Sequence, residues 1–293
     1  MNYFEKALLL AHKGLKASSH TVYACMWKGF SERLVSMGTE PGQESLAQFS
    51  RAVEGAGDYS TQKRMHSLVQ WVYSTLSEAG YAMPGHAKEL DRFYLADPRV
   101  EHEGLTPEAL GKLEAAAIRT VKGWKGMRLA ALVSVLTHTG LRQQELLSLE
   151  CLDFWRDGQG QAYLAIRRKS ASRVLPLPDS CGQRIEAWLA CYPAKYHSRW
   201  LFVADEQGNP MDSSTVWRQL KRLCSRELGE NAASQFGTGI IRVSLAKALQ
   251  EEGMSTTELR KFLGHRQEAS TAELLERVTL ARSTGQNTRA GAH

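Results

Sequence analysis

Several absences narrow what this 293-residue chain can be. No apolar run approaches the roughly 20 residues that cross a bilayer. The N-terminal MNYFEKALLLAHKGL carries Glu5 before only a brief apolar patch, so neither a membrane span nor a secretory leader is expected, and the protein reads as cytoplasmic. The five cysteines, Cys25, Cys151, Cys181, Cys191 and Cys224, are odd in number, scattered and not spaced as metal-ligand pairs. They read as reduced structural thiols, and no metal or cofactor is implied. Gly158-Gln159-Gly160 lacks a third glycine and precedes a strand pattern instead of a helix, which excludes a dinucleotide fingerprint. Finally, no tyrosine follows Tyr196.

What remains is ordinary globular material, 43% hydrophobic and 23% charged, in a chain long enough for two cores. The net charge of +6 is unevenly placed: residues 1–97 are balanced, so the whole basic excess lies downstream. A polyphosphate partner is compatible with that surplus, although many proteins are as basic without one.

The pattern turns on Thr137-His138-Thr139-Gly140-Leu141-Arg142-Gln143-Gln144-Glu145-Leu146-Leu147. The preceding run, Leu129 to Leu136, is too apolar for an exposed helix, and Gly140 stands where a helix needs a left-handed C′ residue. Arg142 is thereby held at a rigid corner. Glu145, three residues on, shares its face in a second short helix and can orient the guanidinium. An oriented fork suits the oxygens of a phosphate or carboxylate, and an Arg142–Glu145 pair serving structure alone fits equally well.

Around this corner the chain reads as follows. Helices are expected over 3–16, from Ser19 with Val22, Met26, Phe30, Leu34 and Met37 on its apolar stripe, over 44–53, and from Ser60 or Thr61 with Met65, Leu68, Val69, Val72 and Leu76 inward. Gln62, Lys63, Arg64 and His66 fall on the opposite face of that last helix. Lys63 and Arg64 can meet a DNA backbone or simply be solvated. Residues 94–105 lack a periodic face and contain Pro98, and Thr106-Pro107-Glu108 then opens a helix with a cap and an N1 proline. A hairpin spans 161–177 and a helix 179–192. Ser213 or Ser214 caps a helix that sets Arg218, Lys221 and Arg222 against an apolar face, a basic edge for DNA or an ordinary solvated one.

Four ordered motifs resemble the tyrosine recombinases, the phage-integrase family. TGLRQQELLSLECLDF resembles the first arginine box. Lys169, in the basic run Arg167-Arg168-Lys169 and ahead of Arg173, resembles the hairpin lysine. Gly239-Ile240-Ile241-Arg242 and Leu263-Gly264-His265 resemble the His-x-x-Arg helix and the Leu-Gly-His turn. The resemblance spans roughly the whole chain. It implies a mainly α protein with a small β-hairpin or sheet (α+β), with a helical SAM-like core-binding domain at 1–97 and a tyrosine-recombinase-like domain at 106–280, while the aperiodic stretch reads as a linker at 98–105 and the polar, small residues at 281–293 as a mobile tail. By the same resemblance Arg142 and Arg242 grip the scissile phosphate, Lys169 protonates the leaving 5′ oxygen, His265 supports the phosphate, and Glu145 supports Arg142. Arg167, Arg168, Arg173, Lys63, Arg64, Arg218, Lys221 and Arg222 are further DNA-contact candidates.

Two positions depart from the family. Gly239 replaces the histidine that opens the second box, and Leu275, or Leu274 in another register, stands where the nucleophilic tyrosine belongs. Cations without an attacker point to an inactive homologue, not an enzyme, that binds double-stranded DNA in the bacterial cytosol or nucleoid. Such a protein would act as a transcriptional regulator or recombination accessory of a mobile element, with itself or an active tyrosine recombinase as further partner, and would lose affinity with salt by a log–log slope of about 0.9 per phosphate neutralised. The alternative is an active site-specific recombinase that uses an unusual hydroxyl, Ser270, Thr271 or Thr279, or a partner's tyrosine. A third reading docks it onto an active recombinase with little DNA contact of its own.

Overall fold

The computed structural model describes residues 2–11, 15, 17–85, 102–119, 121–167, 172–193, 198–234, 236, 238–276 and 278–280. The chain divides into two compact units, Met1–Arg99 and Val100–His293. The tail at 281–293 lies outside the described residues.

The first unit is helical: α1 (Tyr3–Leu10), α2 (Ala17–Ser36), α3 (Leu46–Glu54) and α4 (Tyr59–Glu78). The helix expected over 3–16 stops at Leu10, where the Ala11 N–H closes on the carbonyls of Ala7 and Leu9. A Ser45–Gln48 capping box starts α3, and Asp58, ahead of the expected Ser60 or Thr61, caps α4 through the Thr61 N–H at 2.7 Å. Trp27, Phe30 and Leu34 bury against Phe49, Val69, Val72 and Tyr73. Val22, assigned to the inward stripe, is 49% exposed because the facing helices meet the Trp27 side of α2. His66, assigned to the solvent face, is buried edge-on against Phe49, with ring centroids 5.8 Å apart.

The second unit begins with β1 (His102–Gly104), so residues placed in the linker form a strand, and Leu105 enters the core. Then follow α5 (Pro107–Arg119), α6 (Gly123–Thr139), α7 (Gln143–Leu147), a 3-10 turn (Cys151–Asp153), β2 (Phe154–Arg156), β3 (Ala162–Ile166), β4 (Arg173–Leu177), α8 (Asp179–Ala190), α9 (Ser213–Leu228), α10 (Glu230–Ser234), α11 (Thr238–Glu251), α12 (Thr256–Leu263), α13 (Ala269–Glu276) and β5 (Val278–Leu280). The expected hairpin is the β3–β4 pair, extended by β2 into a three-stranded antiparallel sheet, and β1 pairs with β5 in parallel. The architecture is mainly α with small sheets.

Helix α6 is the spine of this unit: every residue from Ala130 to Thr137 is buried. Near its start the buried Arg128 donates to the carbonyls of Val203 at 2.6 Å and Ala204 at 3.1 Å, and its cation lies 5.2 Å from the Trp124 ring centre. Helix α9 is capped by Asp212, and not by Ser213 or Ser214, through the Thr215 N–H. Among the described residues no helix is long and apolar enough to cross a membrane.

Candidate functional site

Helix α6 ends on Gly140, at φ 57° and ψ 29°, in the left-handed conformation a C-terminal glycine adopts at little cost. Space there is also tight: a Cβ would stand 3.3 Å from the Leu245 side chain, which would have to give slightly, and 3.6 Å from the Arg242 backbone. This close approach lets α11 set Arg242 against the end of α6. The Arg242 guanidinium is 5% exposed and donates to the Gly140 carbonyl and to the Leu263 carbonyl, each at 2.7 Å. Both acceptors sit at the C-terminal ends of helices, α6 and α12, where orphan carbonyls and the negative end of the helix dipole favour a cation.

The same guanidinium lies 2.9 Å from His265 Nε2. Because a guanidinium can only donate, Nε2 accepts, and the imidazole proton resides on Nδ1, 2.8 Å from the Thr271 hydroxyl oxygen. Burial, followed by the charges of Arg242, Arg142 and Arg173, pushes His265 down to about 4, so the ring is neutral near pH 7.

Arg142 stands at the N-terminus of α7. Its backbone N–H donates to Glu145 Oε2 at 2.9 Å and its Nη1 lies 3.3 Å from Glu145 Oε1, so both the phosphate and the structural reading of this pair have their geometry. Arg142 is one-third exposed, whereas Glu145 is buried. Burial by itself would raise that carboxyl, but the Arg173 fork, the Arg142 N–H and both positive charges more than offset it and hold it below its usual range. Three guanidiniums and one carboxylate thus meet around a neutral imidazole. The surplus positive charge can bind an oxyanion and stabilise charge developing on it.

Arg173, expected to be a surface DNA contact, is instead only 8% exposed, its Nη1 and Nη2 lying 3.2 and 3.3 Å from the two Glu145 oxygens. The period-two alternation of β4 held the signal, since Arg173 shares a face with the buried Leu175 and Leu177. Arg167 pairs with the buried Asp153 at 2.6 Å, which tethers the end of β3 to the 3-10 turn. Lys169 and Arg168 lie outside the described residues. Lys63 and Arg64 are exposed on α4 of the first unit. On α9, Arg218 and Arg222 are exposed and Lys221 lies 4.8 Å over the Trp217 ring. The amide side chains of Gln143 and Gln144 both reach Ser213, joining the start of this basic helix to the Arg142 corner, a link that spacing alone did not reveal.

At the departing positions, Gly239 is exposed in the first turn of α11, with no positive φ and open space where a Cβ would go. Leu275 is buried against Ala246, Leu259 and Leu263, while Leu274 is half-buried at the edge of that cluster. Thr271 is fully buried, Ser270 is exposed, and the Thr279 side chain lies outside the described residues. Among the described residues no group of acidic, histidine or cysteine side chains could hold a metal ion.

Residues 105–275 match the model of the phage integrase family. The chain belongs to that family. It is similar to tyrosine recombinase XerD of Brucella suis biovar 1, 26% identical over 94% of this chain and 91% of the relative. Tyrosine recombinase XerA of Thermococcus kodakarensis is 27% identical over 90% of this chain and 86% of that one. The fold matches a XerH site-specific recombinase bound to a palindromic difH substrate, with a TM-score of 0.71 at 18% identity, over 87% of this chain and 75% of that one. These matches overturn the expectation that the chain is not an enzyme. The relatives that align along nearly its whole length are named tyrosine recombinases, which are enzymes, and no finding shows this member to be inactive.

Proposed function

We propose that this chain is a site-specific DNA recombinase of the integrase type whose pocket holds the scissile phosphate, with the attacking hydroxyl supplied by the tyrosine of a partner recombinase. The observation that carries this reading is the convergence of Arg142, Arg242 and neutral His265 on one cationic site, assembled from three helix ends. The two arginines hold the non-bridging oxygens. The partner's tyrosine gives up its phenolic proton to solvent and its oxygen bonds to phosphorus as the bond to the 5′ oxygen breaks, and Lys169 gives the leaving 5′ oxygen a proton. Double-stranded DNA is the substrate and a second recombinase the partner.

The chain's own hydroxyls are poorer candidates. Thr271 is fully buried and accepts from His265, so it orients the ring instead of attacking. Ser270 is exposed, but no general base is placed beside it among the described contacts. No tyrosine follows Tyr196 in the sequence.

Complementation on a nicked suicide substrate tests the proposal. This chain is mixed with a XerD-type recombinase that keeps its tyrosine but has lost its phosphate-binding arginines. A covalent adduct on the partner's tyrosine, absent with either protein alone and abolished by Arg142→Ala in this chain, is the expected result. An adduct formed by this chain alone and mapped to Ser270 moves the nucleophile into the chain. No adduct in any combination, on DNA the chain demonstrably binds, sinks the recombinase reading.

A further inference from the structure

We infer that Arg173 is a positioning residue for the phosphate pocket, fixing the direction of Arg142 through their shared carboxylate and seating the turn that carries His265. The inference deepens the recombinase reading and rests on it for its functional consequence. Three observations support it. Arg173 opens β4 opposite Ile166, so its backbone is fixed by the sheet. Its two terminal nitrogens bridge both oxygens of Glu145, the carboxylate that also takes the Arg142 N–H and meets the Arg142 guanidinium. Glu145 is thus clamped from one side and presents its remaining acceptor capacity to Arg142 from the other.

The third observation is the turn after α12. Gly264 adopts φ 66° and ψ 44°, and a Cβ there would collide with Arg173 Nη1. The guanidinium therefore occupies the space a side chain would need at the residue that precedes His265. A single buried cation touches the supports of both pocket groups: Glu145 under Arg142, and Gly264 before His265. Lysine cannot reproduce this, since a point charge bonds one carboxylate oxygen well and leaves the second unbridged.

The test uses the full chain with Arg173→Lys, Arg173→Gln and Gly264→Ala, and Arg156→Gln as a control that loses an equally dense surface set of ion pairs with Asp179 and Glu186. Two signals are read: affinity for duplex DNA, and the titration of His265 by its imidazole proton resonances. The groups facing His265 are Arg242, Arg142, Arg173 and Glu145, with Arg260 at its carbonyl. Arg173→Gln removes one nearby positive charge and releases Glu145, so the His265 midpoint should rise from about 4, with DNA affinity falling about tenfold. Arg173→Lys should keep the midpoint low but recover little affinity, a split that loss of fold stability alone would not produce. Gly264→Ala, which displaces the fork, should lower affinity as Arg173→Lys does, and Arg156→Gln should change neither signal. An unmoved His265 midpoint and wild-type affinity in folded Arg173→Gln would overturn the inference. Equal recovery of affinity by lysine would overturn it too, and this arm remains available if the glutamine variant does not fold. A raised midpoint with unchanged DNA affinity in Arg173→Gln reports the lost charge alone and overturns the positioning role, whereas unchanged affinity in Arg142→Ala as well counts against DNA as the pocket's ligand.

Discussion

In the first unit five rings, Phe4, Trp27, Phe30, Phe49 and Tyr73, pack among aliphatic side chains in the core, and the buried carboxylate Glu44 takes a hydrogen bond from Tyr73 Oη at 2.6 Å. Burial, and then the Glu44 charge, raise the Tyr73 hydroxyl well above its ordinary range, so the proton stays on tyrosine and the pair is locked. In the second unit Arg142, Arg173 and Arg242 crowd around Glu145 and His265, and among the described residues of this cluster the cations outnumber the carboxylate. Both arrangements largely meet the rule that buried polar groups find partners, Arg173 Nε being the exception. They differ in what is left over. The first closes on itself and stabilises a bundle, whereas the second keeps a surplus of positive charge that an anion can complete. Where burial leaves a charge imbalance, a ligand of opposite sign is the natural complement.

The comparison can be broken at either end. The largest effect expected is Phe30→Ala, which empties a fully buried ring site and should cost about 3–5 kcal/mol in chemical denaturation while leaving the His265 titration unchanged. A parallel change in that titration would mean the pocket depends on the first unit's packing. Arg242→Ala follows. It strips the donors from two helix-end carbonyls and from His265, with an expected cost of about 3 kcal/mol and a fall in DNA affinity and in its salt slope. Stability lost without any loss of DNA affinity would make the pocket purely structural.

Acid should separate the two units next. His265 lies at about 4 in the folded chain against an ordinary 6.5, so its contribution is complete above about pH 6.5 and is lost as pH falls through 4, at most about 3 kcal/mol. Glu145, also held low, loses its contribution in the same direction at more acid pH. His265→Gln should flatten the upper part of this acid limb, and an unchanged limb would place the titrating group elsewhere. Tyrosine scanning of α13 comes next: Leu275→Tyr overpacks a small core and should cost about 1–3 kcal/mol, while Leu274→Tyr should be better tolerated and is the better place for a self-supplied nucleophile. A suicide-substrate adduct from Leu275→Tyr alone would reverse that ranking. Gly239→Ala, with open space and no positive φ, should change stability by less than about 1 kcal/mol and DNA affinity hardly at all.

The sequence was legible where local rules dominate. The Gly140 corner, α7 beginning after Arg142 and the proline start of α5 follow from turn and cap chemistry within a few residues. It was less legible where the partner is distant. His66 and Val22 exchanged burial because helical periodicity gives a stripe but not its centre, which depends on which neighbours arrive. Arg173 read as one more basic surface residue because its acceptor, Glu145, lies 28 positions away. The expectation of inactivity rested on single positions, Gly239 and Leu275, and a match extending over most of the chain outweighed it.

By itself the sequence determined the helical plan, the basic second half and the Arg142 corner, because each is written in short-range patterns of apolarity, capping and spacing, whereas Arg242 and His265 stood out only by their resemblance to ordered family motifs. Only the tertiary structure decided that Arg242 rests on the carbonyl ends of two helices, that His265 is neutral with its proton on the Thr271 side, and that Arg173 is buried. Those properties depend on desolvation and on charges brought within a few ångströms by residues far apart in the chain, and neither is encoded in any local stretch.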